Sequence, residues 1–168
     1  MSATTLVTRG REVMAEALSG LTFLAALSAG DPDWDAAWSE PNPPSPDLGA
    51  TGILDLIGYV RPTIVDFVAA DPAGAIITDD GARYATSASR TRYLRIRISI
   101  PAGAYPGVTV REVALFAHPT IAAGVPGGQT ILAPADVEDA GDLVHLSWLE
   151  PQFLSAGTAY ARNVILRV

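Results

Sequence analysis

Cysteine is absent from this 168-residue chain, and so is lysine. Without cysteine there is no disulfide, no thiolate nucleophile and no cysteine-ligated metal. Without lysine there is no Schiff base, no lysine general base and no phosphate-binding lysine of the P-loop kind. The 11 basic residues are all arginine, and 18 acidic residues bring the formal net charge to −7. That sign argues against a nucleic-acid binder that works by neutralising phosphate. Charge is sparse, at 17%, while 49% of residues are apolar, a balance that suits a single domain over 1–168 with a real core. Long apolar runs are missing too. The charge-free stretch at 17–30 falls short of the roughly 20 apolar residues that a bilayer span takes. Glu12 and Glu16 occupy the flank where a signal peptide carries positive charge, so the run reads as a helix end followed by a buried strand.

What the chain does have is alternation and turn chemistry, with 13 prolines and 15 glycines. In TRYLRIRISIPAGAYPGVTVREVALFA (91–117), Leu94, Ile96, Ile98 and Ile100 share one parity, and Tyr93, Arg95, Arg97 and Ser99 share the other. This pattern predicts a strand with one buried and one wetted face. Pro101, Gly103, Pro106 and Gly107 then return the chain into a second strand, Val108 to Phe116, and the two read as a paired unit.

A helix is expected over 8–19, with Val13, Met14, Ala17 and Leu18 on one face, Glu12 and Glu16 on another, and Gly20 at the stop position. Residues 21–28 read as a strand. Residues 31–52 hold five prolines and no period, a loop too long to be a passive connector. Tyr59 to Val68 reads as extended, with Pro62 restricting it to an edge or a bulge. Ile76 to Tyr84 reads as a hairpin on Asp80-Gly81. Residues 118–142 look irregular, with an acidic end at Asp136, Glu138, Asp139 and Asp142, and Leu143–Leu149 and Tyr160–Val168 close the fold as strands. The expected class is α+β and mainly β. It is an antiparallel sandwich-like domain with one N-terminal helix, long Pro/Gly-rich loops and a β core over about 56–168.

No catalytic constellation emerges from the residues. Asp31, Asp33 and Asp35 are spaced like the opening of a calcium loop, but Ala36 and Asn42 stand where that loop needs Gly and a bidentate Glu. A solvated acidic loop is the better reading. His118 and His145 are isolated from any further ligand. Gly124 to Thr130 has the glycines of a phosphate cradle without the lysine, and no Gly-x-Ser-x-Gly elbow appears. No catalytic residue, metal ligand or cofactor is assigned, and a hydrolase has no positive feature. Two groups are candidates for contact instead. Trp34 and Trp38 on the long loop are either a private mini-core or an anchor for a partner. Tyr93, Arg95 and Arg97 are either an ordinary wetted sheet face or a docking surface.

The second strand carries Arg111-Glu112-Val113-Ala114-Leu115-Phe116. With the strand and the Gly/Pro return before it, this motif resembles the N-terminal domain of phage tail-collar and tail-fibre proteins. Thr8-Arg9-Gly10 before the helix, Ala29-Gly30 after the first strand and Ala37-Trp38 in the variable loop extend the resemblance over most of the chain. Arg111, Glu112, Val113, Leu115 and Phe116 match the motif; family members usually have Gly at the place of Ala114, and commonly run on into a fibre shaft. The resemblance implies a structural virion protein of a tailed phage or phage-derived particle. It would be a baseplate component or an adaptor that attaches tail fibres, made in the host bacterial cytoplasm, and it would have no cofactor. It implies baseplate proteins and tail fibre as partners, in a homo-oligomer or hetero-complex, without nucleic acid or membrane. The alternative is a glycan-binding β-sandwich for host-surface recognition, with Trp34, Trp38 and the arginine face on the sugar. In the particle the 31–52 loop is expected to be ordered by a neighbouring chain, with Trp34 or Trp38 losing most of its exposed area to that partner and the Arg95/Arg97 face as the second choice of contact.

Overall fold

The computed structural model describes residues 5–39 and 45–168, Ser39 through its backbone alone. Along the chain come helix α1 (Thr8–Ser19), strand β1 (Phe23–Ser28), a 3-10 helix (Pro32–Ser39), β2 (Leu56–Val60), β3 (Ile64–Ala70), β4 (Ile76–Ile77), β5 (Arg83–Thr86) and β6 (Tyr93–Ile100). Then follow β7 (Val108–Ala117), β8 (Thr120–Ile121), β9 (Ile131–Leu132), a 3-10 turn (Pro134–Asp136), β10 (Val137–Asp139), β11 (Asp142–Leu154) and β12 (Tyr160–Arg167). The expected class holds: the protein is mainly β, with antiparallel sheets and a leading helix. No described helix is long and apolar enough to cross a membrane.

The chain forms two compact units and passes between them at 21/22, 62/63, 98/99 and 160/161. The first holds α1 and a five-stranded sheet in the order β12-β6-β3-β5-β4. The second holds a five-stranded sheet in the order β11-β7-β1-β2-β9 and the small β10-β8 pair.

In the first unit, Leu94, Ile96 and Ile98 of β6 are fully buried, as the alternation predicts. The other parity is not simply wetted, and here the sequence reading needs correcting. Arg95 is 8% exposed because Asp66 stands directly opposite on β3 and neutralises it. Beside it, Val68, Ile76 and Tyr84 form a second cluster, joined by Ala82, Tyr93 and Ile165. The sheet thus buries apolar surface on both faces. The β4–β5 hairpin turns through Gly81 at φ +77°, which the expected Asp-Gly turn demands. Helix α1 ends where the Gly20 N–H bonds back to Ala17 O. Its buried residue is Ala15, while Val13 and Met14 stay about half exposed.

In the second unit β1 is the central strand, and all six residues of Phe-Leu-Ala-Ala-Leu-Ser are buried. Its partners are β2 (Ala26↔Tyr59) and β7 (Ala26↔Ala114), both antiparallel. A strand flanked on both sides and covered on both faces has no use for alternation, which is why this one reads as a continuous apolar run. Ala26, Ala114 and Phe116 form a cluster with Ile53, Leu56, Tyr59, Leu143 and Leu146 packed on it. The edge strand β11 is irregular between Leu143 and His145 and again between Trp148 and Gln152, where Pro151 falls. Bulges and proline on an edge deter pairing with stray strands.

Three further expectations are corrected. Strands β6 and β7 are not a paired unit; they lie in different sheets, and the Pro101–Gly107 segment links the two. Tyr59–Val68 is not one strand, since Pro62 separates β2 from β3 and each joins a different sheet. Residues 118–142 are less irregular than their composition suggests, because β8 pairs with β10 and β9 with β2.

Candidate functional site

The loop that follows β1 is held at both ends. Its first stretch winds into the 3-10 helix Pro32–Ser39, opened by an Asp31 carboxylate that accepts the Asp33 N–H at 2.9 Å. Trp34 stacks on Trp148 of β11, with centroids 4.1 Å apart and planes 20° from parallel. Arg111 on β7 grips Asp35 with two parallel hydrogen bonds of 2.6 and 2.8 Å, and donates a third, of 3.1 Å, to Ala29 O. These bonds hold the Asp35 carboxyl below its ordinary value and raise the Arg111 guanidinium. Gly30 makes room for the arrangement. Its φ is +59°, and a Cβ there would stand 2.7 Å from the Trp34 ring and 2.9 Å from Arg111 Cβ.

The other end is held by Glu112, which is 2% exposed. One carboxylate oxygen accepts the Trp148 indole N–H and the other the Leu54 backbone N–H, each at 2.9 Å. A carboxylate this deep is tolerated because N–H donors replace the water it has lost. Ser28, across the ladder from Glu112, donates to Leu54 O and accepts the Gly30 N–H at 3.0 Å. The Arg-Glu pair at the head of the motif is therefore a clamp: Arg111 fixes the outgoing stem and Glu112 the returning one. The remaining motif residues Val113, Leu115 and Phe116 are core, at 0%, 0% and 7% exposure.

Sequence reasoning flagged Trp34 and both members of the clamp, but it missed Asp35 as a partner, Trp148, Ser28 and the Leu54 amide. The one available signal was a Glu followed by buried-type residues on a strand, which has to be satisfied by something. Trp38 is half buried; its indole nitrogen is enclosed without a hydrogen-bond partner among the described residues. Asn42, weighed for a calcium loop, lies outside the described residues, and no metal-binding group of three His, Cys, Asp or Glu occurs among those described.

In the first unit the three candidates on β6 have different fates. Arg95 makes a bidentate pair with Asp66 at 2.7 and 2.6 Å. Tyr93 meets Tyr84 edge-on and accepts a 2.6 Å hydrogen bond from Arg92, whose guanidinium also lies over its ring. Arg97 is half buried, and its guanidinium has no partner among the described residues. The histidines make local bonds, His118 to Asp142 at 3.3 Å and His145 to Ser147 at 2.7 Å.

Over residues 3–168 the chain matches the family model described as baseplate wedge 3 tail fiber network component. No curated protein matches it.

Proposed function

Because the chain belongs to the baseplate wedge 3 tail fiber network component family, we propose that it is a connector whose clamped 31–55 segment is offered to a neighbouring chain. As a member of that family it is a structural protein of the phage virion tail, located at the baseplate, and it acts by shape and interface without catalysis. Its partners are baseplate and fibre components.

One observation supports the contact assignment. Both stems of the segment are fixed, through Arg111–Asp35 and Glu112–Leu54, while Leu48 between them is fully exposed. Leu48 sits on a turn in which Asp47 accepts the Gly49 and Ala50 N–H groups, at 2.6 and 3.1 Å. Fixed stems and a proline-rich chain lower the ordering entropy that docking would otherwise cost. Residues 31–55 contain six acidic residues and no basic one, so the receiving surface is an apolar socket with a cationic rim. In this reading Trp34 holds the stem, Leu48 makes the contact, and Arg97 is a second contact for a partner carboxylate.

Leu48→Asp tests the assignment. The isolated protein is expected to melt like the wild type, because the side chain touches little. Its incorporation into particles, or the fibres those particles carry, should fall by about tenfold or more, the ratio that roughly 1.4 kcal/mol of lost contact gives. Normal fibre-bearing particles built with Leu48→Asp would overturn it.

A further inference from the structure

We propose that the tip of the β4–β5 hairpin is a flap held on β12 by a charge latch, and that it opens while the rest of the first unit's sheet stays paired. The inference concerns a feature separate from the 31–55 segment and does not depend on the placement at the baseplate.

The sheet of the first unit rolls until its two ends touch. In the order β12-β6-β3-β5-β4 the end strands are β12 and β4, and Asn163 Nδ2 of β12 donates to Ile77 O of β4 at 3.4 Å. No ladder joins these two strands among the described residues, so side chains close the seam. The Asp80-Gly81 turn sets two adjacent carboxylates at the hairpin tip. Asp80 accepts the Ala82 N–H at 3.2 Å, and the Thr78 N–H bonds to Ala82 O at 3.0 Å. Arg162 donates to Asp79, and Arg167 donates to Asp80 at 3.0 Å. Behind the seam lie Ile76 and Tyr84, 8% and 4% exposed, with Ala82 of the tip and Ile165 of β12 packed against their cluster. The closed tip thus covers apolar surface and guards an edge strand, which sheets otherwise leave open to stray pairing.

The closure is weak where the tip meets β12 and firm at the base of the hairpin. Asp79, Asp80 and Arg167 are each more than half exposed, and pairs so open to water and salt contribute little. Closing the seam also encloses Arg162 Nε and Asn163 Oδ1, which have no hydrogen-bond partner among the described residues. Water lifts that penalty when the tip swings away. The base is built differently. There β5 pairs with β3 through Val68↔Thr86, Ala69↔Ala85 and Ala70↔Tyr84, and the Asp71 N–H bonds to Arg83 O at 3.0 Å. Gly74 lies so close to the same strand that a Cβ would stand 2.2 Å from Tyr84 O. Opening therefore parts the tip, residues 77–82, from β12 and breaks no strand ladder.

The chain has no cysteine, so one introduced thiol reports on one place. Ile76→Cys puts it behind the seam, and Ile98→Cys puts it in the body of the sheet, where Ile98 is fully buried. At neutral pH and low salt a maleimide should label Ile76→Cys well ahead of Ile98→Cys. Adding Asp79→Asn and Arg167→Met breaks both pairs and leaves the net charge unchanged. Labelling of Ile76→Cys should then speed up by about fivefold or more, the range that two exposed pairs together supply, while Ile98→Cys labels as before. With the native charges in place, salt at about 1 M, where the screening length is about 3 Å, should act in the same direction. If Ile76→Cys does not fold, Ala82→Cys on the tip serves in its place. Equal labelling of the two positions would mean that only global unfolding exposes them, and overturns the proposal. So does labelling behind the seam that ignores both the charge substitutions and salt. All of this is read on the isolated chain, so it stands or falls apart from the particle experiments on Leu48.

Discussion

Replacing Glu112 by Gln should loosen the returning stem of the 31–55 segment by an amount that depends on the indole of Trp148. The carboxylate accepts two N–H groups at 2.9 Å, and a hydrogen bond to a charged acceptor is worth about 1.5–3 kcal/mol when its partner cannot reach water. Glutamine keeps the shape but can accept only on its oxygen, so its NH2 group faces the second donor. Losing one charged bond and gaining one donor–donor contact comes to roughly 2–4 kcal/mol. Leu54 is 52% exposed, so water reaches its side and the lower figure, about 2 kcal/mol, is expected. Trp148→Phe removes the indole N–H while keeping a ring against Trp34, and should cost about 1–2 kcal/mol. Urea denaturation followed by far-UV circular dichroism on the two single mutants and the double mutant completes the cycle. A coupling of about 1 kcal/mol or more is expected; a coupling under about 0.3 kcal/mol would mean that carboxylate and indole act independently, and the clamp would be refuted.

Gly30→Ala should destabilise the protein by about 2 kcal/mol or more, since it combines a positive φ with contacts below van der Waals distance to Trp34 and Arg111; a midpoint equal to the wild type's would show that the stem can yield. Asp66→Asn leaves the Arg95 guanidinium, 9% exposed, without its counter-charge, and should cost about 2–3 kcal/mol, less than a fully buried pair because Asp66 keeps 26% exposure; thermal melts of Asp66→Asn and Arg95→Met check it. Asp35, chiefly through its hydrogen bonds from Arg111, and Asp80, chiefly through that from Thr78, are held below the ordinary value of 3.8. A depressed folded-state value means their stabilisation is complete above the ordinary value and is lost as pH falls beneath it. Stability should therefore hold down to about pH 5 and decline below about 4, and Asp35→Asn should flatten part of that decline in acid titrations; an unchanged acid limb would dissociate Asp35 from it.

Where structure follows local periodicity, the residues announce it. The parity of Leu94, Ile96, Ile98 and Ile100, the Asp80-Gly81 turn and the α1 span all appear as expected, because each depends on neighbours within a few positions. What stayed hidden depends on partners far along the chain. Nothing near Arg95 reveals that Asp66 will stand opposite it, so the residue reads as wetted. Nothing near Val108 reveals that β7 pairs with β1 and β11 rather than with β6, since a Gly/Pro-rich link looks the same whether it closes a hairpin or crosses between sheets. The clamp was half legible: Arg111, Glu112 and Trp34 stood out, whereas Trp148 lies 36 residues from Glu112 on a bulged edge strand. The helix face is the converse case. Its apolar face was read at Val13, Met14, Ala17 and Leu18, yet only Leu18 of the four is half buried, beside the fully buried Ala15, because periodicity states that a stripe exists and not which way it points.

The four passages of the chain between its units also govern when either unit can exist during synthesis. The first unit begins with α1, yet its edge strand β12 comes from residues 160–167, and Arg11 and Arg92 reach Val168 through Val168 O and the Val168 N–H. Until the ribosome has released residues 160–168, β6 has β3 on one side and an open edge on the other, and α1 lacks its bond to Val168 O. Non-local closure of this kind makes for slow folding. It also means that a chain broken off before β12 lacks the edge strand of its first sheet and the Val168 carbonyl that Arg11 bonds, so an unfinished copy leaves β6 with an open edge.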